Sequence, residues 1–371
     1  MRLAFVVHDF NHAGGHSRYV AEHVARLAAR HEVHVFANRF DAPLPAGVIA
    51  HRVPAVRASA LTTILSFAPA ATLAARSRFD IVHAQGFSIR RADVITAHIS
   101  NARWLAARRG LEGSGLPAHE RIFGAIVTPL ERHALADPRV SVIAVSRALA
   151  GDVAREYGRK APVHVIHHGV DRAQFNPGVR REHRARTRLE LGLADEDVAF
   201  LYVGDLRKGF GPTLHALGRV PGARLVAVTR SDLAAASTAA AAAGVAARVQ
   251  LVPPTDSVER YYGAADAFVL PTPYDAFGMV ITEAMACGLP VITTPHAGAS
   301  ELVVPGVHGC LVSEADDVEG LAAAMQRLAA SEDLRGRLGR AGAALMAEHD
   351  WEAVVRRTER VYAEHLERRR R

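Results

Sequence analysis

The stretch "DAFVLPTPYDAFGMVITEAMACGLPVITT", residues 266–294, reads as one strand–helix–strand unit. "DAFVLP" is a short apolar run rich in strand formers, and the loop after it carries proline and glycine. "MVITEAMAC" has the length of a short helix stopped by Gly288, and "LPVITT" resumes the strand pattern. A helical crossover returns the chain to the same end of a sheet, so the two strands lie parallel.

The same alternation runs outward in both directions. "VAFLYVG" (198–204), "ARLVAVT" (223–229) and "RVQLVP" (248–253) precede the stretch, and "HGCLVS" (308–313) follows it. "LAAASTAAAAAG" (233–244) has high helix propensity and ends on a glycine stop, and residues 316–346 and 350–368 are read as helical. "GVDRAQFNPG" (169–178) interrupts the pattern as a linker. Before it run "RLAFVVH" (2–8), "EVHVFA" (32–37), "DIVHAQ" (80–85), "DVITAH" (93–98), "SVIAVS" (141–146) and "VHVIHH" (163–168). The expected fold class is therefore α/β, with two doubly wound, Rossmann-like parallel-sheet domains facing each other across a cleft. Residues 1–170 form the first domain, 171–349 the second, and 350–371 a closing helix that packs back on the first. Ligands of such sheets sit at the carboxyl ends of the strands.

Composition narrows the function classes. The 371 residues are 49% hydrophobic and 22% charged, ordinary for a globular chain. No run of about 18 apolar, uncharged residues exists to span a bilayer. The first apolar run enters an Asp-His-Gly loop without a small-residue cleavage site and reads as a strand rather than a signal peptide. Cys287 and Cys310 alone fit a reducing cytoplasm and are too few for structural zinc. Residues 1–170 hold 21 Lys and Arg against 12 Asp and Glu, a net of +9, while the remainder holds 24 against 26, a net of −2. A basic first half suits an anionic partner such as a membrane surface or a phosphorylated glycan, and a bias towards arginine explains it equally well. Only Lys160 and Lys208 among the 45 basic residues are lysines, so Lys208 marks a place where a compact point charge stands instead of arginine.

Lys208 lies in "YVGDLRKGFG" (202–211), at the carboxyl end of the first strand of the second domain. Arg207 and Lys208 suit a diphosphate, since cations at a helix start are unfavourable without an anion. In the opening stretch, Asp275 precedes the helix and Glu283 lies within it. If residues 277–283 are helical, the N–H groups of Phe277, Gly278 and Met279 are free to hold a phosphate. Carboxylates beside a phosphate hold it poorly but accept well from sugar hydroxyls. The spacing suits a sugar at Asp275, a diphosphate at the helix start and a ribose at Glu283. A metal site is the weaker reading, because no histidine accompanies the pair; plain capping by Asp275 with a solvated Glu283 is the bland one.

"PYDAFGMVITEAMACGLPVITT" resembles the E-x7-E region of the retaining family 4 glycosyltransferases, which have the GT-B fold, with Asp275 where Glu is usual. "GGHSRYVAEHVARLAARHEVHVFA" resembles that family's Gly-Gly loop and first helix, "SVIAVSRALAGDV" its "VS" segment, and "VHVIHHGVDRAQFNP" its linker, with His167 and His168 where Pro-Asn is common. The resemblance covers nearly the whole chain and is closest in kind to bacterial hexosyltransferases of lipopolysaccharide and glycolipid assembly. It implies that Glu283 binds ribose, Asp275 the donor sugar, and Arg207 and Lys208 the leaving diphosphate. Gly278 and Met279 N–H groups would hold the phosphate or sugar, Gly14 and Gly15 would let the first loop approach the reacting sugar, and His98 would contact it. Glu301 in "GASELVVPG" resembles a common acid near the donor, and also fits a helix start.

Other matches fall away. "DED" (195–197) sits in a turn before a strand and reads as a cap rather than a metal-binding Asp-x-Asp. "GHSRY" lacks the last glycine of a nucleophile elbow, "HAGGHS" is no dinucleotide fingerprint, "HERIF" no zinc-protease motif, and the final "RRRR" reads as a solvated tail. The expected activity is transfer of a hexose from a UDP- or GDP-linked donor to a glycan, lipid-linked or small acceptor. It needs no metal or cofactor, involves no nucleic acid, and takes place in the cytoplasm or at the cytoplasmic membrane face. The "LVPPT" loop (251–255) is the expected base contact. A sugar-nucleotide epimerase and a non-catalytic glycan- or nucleotide-binding protein are the alternatives.

Overall fold

The computed structural model describes residues 1–11, 15–76, 79–111 and 116–371. The chain forms two compact units, Met1–Gly169 together with Trp351–Arg371, and Val170–Asp350. Among the described residues the main sheet of the first has seven parallel strands: β1 (Arg2–Val6), β2 (Glu32–Ala37), β3 (Val48–Arg52), β4 (Ile81–Gln85), β5 (Val94–Ala97), β6 (Ser141–Ala144) and β7 (Val163–Val165). Their order is β3-β2-β1-β4-β5-β6-β7. The second unit holds six: β8 (Val198–Val203), β9 (Ala223–Val228), β10 (Val249–Val252), β11 (Ala267–Leu270), β12 (Val291–Thr293) and β13 (Gly309–Leu311), in the order β10-β9-β8-β11-β12-β13. Every pairing in both sheets is parallel. Each chain path winds outward from its first strand, returns to the middle and winds the other way. The α/β, doubly wound fold read from the sequence is present in both units.

The central strands read as unbroken apolar runs because both of their faces are covered by helices. β5, β6, β11 and β12 are buried at every residue. β3, "VIAHR", was not legible. It is an edge strand exposed over most of its length, so no apolar period marks it. The helical stretch expected over 316–346 is two helices, Val318–Ala330 and Glu332–Met346. Ser331 separates them and accepts at its Oγ from Leu334 N–H at 3.2 Å.

The Trp351–Arg370 helix belongs to the first unit because its buried face completes a polar network there. Tyr362 Oη lies 2.6 Å from His83 Nδ1, and His83 Nε2 lies 2.7 Å from Thr96 Oγ1. Thr96 donates its own proton towards Tyr19 Oη at 3.3 Å. His83 Nε2 must therefore donate, and Nδ1 accepts from Tyr362: the ring is neutral. His23 stacks on Tyr19 at 3.9 Å and meets Thr358 Oγ1 at 3.2 Å.

Burial, foremost, lowers His8 to about 4, and His23 and His168 to about 3, from an ordinary 6.5. The unfolded chain takes up these protons as pH falls through 6.5, and the folded chain does not. The stability these neutral rings contribute is full above their unfolded value and is lost as pH drops towards the folded values. Each ring costs up to about 1.4 kcal/mol per pH unit in that window. Thermal unfolding followed from about pH 7.5 to pH 5 should show a steadily falling Tm; a flat profile would contradict the buried neutral histidines.

Candidate active site

In the second unit β8 and β11 are neighbours, paired through Phe200 with Ala267 and Leu201 with Phe268. β9 continues on one side and β12 on the other, so the loops after β8 and β11 part in opposite directions and leave a crevice at the strands' carboxyl ends. The "GDLRKG" turn and the "PTPYDAFG" loop, separated by more than sixty residues, are brought together there. Gly209 makes the approach possible. Its φ is +89°, and a Cβ added to it would stand 2.1 Å from the Pro271 carbonyl oxygen.

Lys208 crosses this junction. Its Nζ lies 2.6 Å from Asp275 Oδ2, with the lysine side chain 37% and the aspartate 15% exposed. Arg207 does not join them. It turns onto Asp205, with Nε and a terminal nitrogen donating to the two carboxylate oxygens at 2.8 and 2.9 Å. The Asp205 carboxyl is lowered first of all by these bonds. Tyr202 Oη donates to the Asp205 carbonyl at 2.6 Å and fixes the turn.

The acid-bearing loop differs in detail from the sequence reading. The helix is Met279–Ala286, and Gly278 precedes it at φ +87°, so Phe277 and Gly278 are not helical. The Phe277 N–H is not free, because it donates to Asp275 Oδ1 at 3.2 Å. The short aspartate reaches back to its own loop and closes it. The N–H groups of Gly278 and Met279 have no hydrogen-bond partner among the described residues, as the first amides of a helix lack intrahelical acceptors. A short parallel bridge ties the loop to the chain after β12. Asp275 N–H donates to His296 O at 3.0 Å, Gly298 N–H to Asp275 O at 2.9 Å, and Ala299 N–H to Phe277 O at 2.6 Å. That bridge sets Glu301, in the 3-10 turn Gly298–Leu302, one short turn from the acids' loop.

Glu283 stands four residues after Met279, about 6 Å further along the same helix face. It is buried, and Tyr262 Oη donates to its Oε2 at 3.0 Å. Cys287, next along the helix, has its thiol pushed up by burial and then by the Glu283 charge. The second unit thus gathers Lys208, Asp275, Phe277, Gly278, Met279 and Glu283 from two loops and one helix. Tyr262, Gly209 and the His296–Gly298 clamp were missed by sequence reasoning; only Gly209 carried a signal, as a glycine beside the two cations.

In the first unit Gln85 ends β4 and His98 follows β5. His98 Nε2 lies 2.8 Å from Gln85 Oε1, an acceptor only, so Nε2 carries the proton. Burial, foremost, holds this ring well below its ordinary value. Its Nδ1 and the Gln85 amide nitrogen are buried without a partner among the described residues, an acceptor and a donor suited to a hydroxyl. The His16 ring lies 4.5 Å away. Gly15 starts the Gly15–Leu27 helix, where an added Cβ meets nothing within 4 Å, and Gly14 lies outside the described residues. "DED" is a turn cap, with Asp197 Oδ2 accepting from Ala194 N–H at 2.9 Å. Among the described residues no three His, Cys, Asp or Glu converge as a metal group, and no helix is long and apolar enough to cross a membrane.

Residues 13–174 match the family model described as Glycosyltransferase Family 4, and residues 197–331 the one described as Glycosyl transferases group 1. The chain thus carries a family 4 glycosyltransferase region followed by a group 1 glycosyl transferase region. Its relatives include a D-inositol 3-phosphate glycosyltransferase of Catenulispora acidiphila, 29% identical over 347 residues, 82% of this chain and 80% of that protein. The chain spans only about half the length of several other relatives of that name, 41% of one and 58% of another. The solved structure of WaaG, a glycosyltransferase involved in lipopolysaccharide biosynthesis, shares the fold at TM-score 0.81 and 20% identity, covering 96% of this chain and 98% of WaaG. Anabaena HepE, solved with UDP-glucose, shares it at TM-score 0.71 and 17% identity, covering 99% of each. The family 4 fold, GT-B, is thus the fold of this chain.

Gly209→Ala tests the junction on which this candidate site rests. It forces a side chain into a left-handed backbone and against Pro271, so stability should fall by about 2 kcal/mol or more in urea unfolding. A change within about 0.5 kcal/mol would show that the two loops are not held at this distance.

Proposed function

We propose that this chain transfers a sugar, read here as a hexose, from a nucleoside-diphosphate donor to an acceptor hydroxyl, with retention of configuration and without a metal. The observation that carries the reading is the 2.6 Å contact between Lys208 Nζ and Asp275 Oδ2, beside the unpartnered amides of Gly278 and Met279. Loss of the sugar–diphosphate bond leaves negative charge on phosphate oxygens. A compact cation and two amides aimed at that charge stabilise it most at the transition state. Asp275 then takes hydroxyls of the donor sugar and Glu283, a turn deeper, those of ribose. Arg207, exposed and hinged on Asp205, is assigned to the outer phosphate, and His98 with Gln85 to a sugar hydroxyl. Glu301 is assigned to the sugar side of the Phe277 loop. Retention by same-face displacement is inferred from the family match. The HepE complex supports a nucleotide sugar as donor, UDP-linked there, with a GDP-linked one equally open here.

The acceptor is assigned by charge. The relatives' name carries an inositol phosphate and that of WaaG a lipopolysaccharide, both anionic, and residues 1–170 carry a net of +9. On the Ala118–Ala136 helix Ile122 and Ile126 are exposed one turn apart, with Arg121 and Arg132 also exposed. Apolar side chains flanked by arginines suit the headgroup layer of an anionic membrane. Co-sedimentation with phosphatidylglycerol vesicles should retain the protein at low salt and lose it in Ile122→Asp/Ile126→Asp; absence of binding would leave a small soluble acceptor.

The reaction is tested with UDP- and GDP-sugars supplied without acceptor. Slow nucleotide release from one donor is expected, and Lys208→Ala should reduce it by about 100-fold or more with the circular dichroism unchanged. Turnover near that of the wild type would remove Lys208 from the chemistry. Conversion of the donor into its epimer would replace the transferase reading.

A further inference from the structure

We propose that Tyr262 is a positioning residue for Glu283, and that through it the site distinguishes ribose from deoxyribose in its nucleotide. The inference rests on the assignment of Glu283 to the ribose hydroxyls. A carboxylate on a fully helical segment, buried to 5% exposure, is unfavourable unless donors reach it. Tyr262 supplies one. Its side chain is wholly buried, with the ring set edge-on to Phe175 at 5.6 Å and stacked on Phe268 at 6.1 Å. The phenol therefore has little freedom beyond rotation of its O–H.

That single proton can reach Glu283 Oε2 at 3.0 Å or the Val280 carbonyl at 3.3 Å. The charged and nearer oxygen takes it. One carboxylate oxygen is thereby held from the core side, which restrains the carboxylate against rotation. A vicinal pair of hydroxyls is read by two oxygens in a fixed plane; a carboxylate that rotates, or takes up a proton, reads it poorly. Nothing in Tyr262 itself needs to touch the nucleotide. Its role is exercised through the orientation and charge of Glu283, so its removal should erase a preference more than it erases binding.

Calorimetric titration of the whole chain with UDP, GDP and their 2′-deoxy counterparts tests this. The wild type should prefer the ribo form of its nucleotide by about tenfold or more, the loss of one hydrogen bond to a charged group. In Tyr262→Phe the preference should fall to within about threefold while the deoxy form binds nearly as before, a change that loosened packing alone would not make. Glu283→Gln should show the same collapse. If the wild type and Glu283→Gln behave as expected but Tyr262→Phe keeps the full preference, the positioning role is wrong and the ribose assignment stands. If the wild type binds both forms equally, the ribose assignment falls and this inference with it. Should Tyr262→Phe unfold, Tyr262→His, which keeps a donor on a smaller ring, must retain at least part of the preference; its complete loss in folded protein would overturn the proposal.

Discussion

The contact between Lys208 and Asp275 depends on two loops that emerge from adjacent strands and part in opposite directions. As a source of stability it is small, for a pair this exposed to water contributes at most about 1 kcal/mol. Its weight lies in geometry. Gly209 removes the side chain that would keep the loops apart, and the bridge from Asp275 to Ala297 fixes the acid's backbone from the other side. The lysine head is held where the sheet topology alone would put a ligand, before any ligand arrives. A site that must stabilise charge quickly gains from having its cation already in place.

The substitution of Asp for the longer acid acquires a physical meaning in that setting. Oδ2 meets Lys208 and Oδ1 receives the Phe277 N–H. Each carboxylate oxygen has two lone-pair directions, so both remain able to accept a sugar hydroxyl. The shorter side chain keeps the carboxylate close to its own loop, and the sugar must come to it. Glu283 presents the contrary case, a longer acid buried deeper and steadied by a phenol from another helix. Two carboxylates eight residues apart thus differ in exposure, partners and freedom. That difference is what lets one serve a reacting sugar and the other an anchoring one.

Much of this is legible in the amino-acid sequence. The strand–helix alternation, the break at residues 169–178 and the scarcity of lysine all pointed to the Lys208 turn and the Asp275–Glu283 segment. What escaped was whatever depends on contact between distant residues. The pattern places Arg207 and Lys208 side by side as equals. Only the fold shows that Asp205, two residues before Arg207, captures the arginine and leaves the lysine to cross to Asp275. "MVITEAMAC" marked the helix itself, Met279–Ala286, but nothing in the pattern showed that the Asp275 side chain binds the Phe277 N–H and so keeps Phe277 out of it. Tyr262 gave no signal, since a tyrosine in "RYYGAAD" reads as core. β3 gave none because edge strands carry no apolar period.

The first unit meets a different constraint, that of burying histidines. His23, His83, His98 and His168 lie at 7% exposure or less. Neutral imidazole is costly there unless its nitrogens find partners; His83 takes Thr96 and Tyr362, and His23 the Tyr19 carbonyl and Thr358. Tyr362 and Thr358 come from the Trp351–Arg370 helix, so the end of the chain completes a network begun at its start. His98 is handled otherwise: Gln85 fixes its proton on Nε2, and Nδ1 faces no described partner. A buried acceptor left open beside a ring that is hard to protonate is costly to folding and useful to a ligand hydroxyl. Gln85 thus keeps His98 in the tautomer whose Nδ1 can accept.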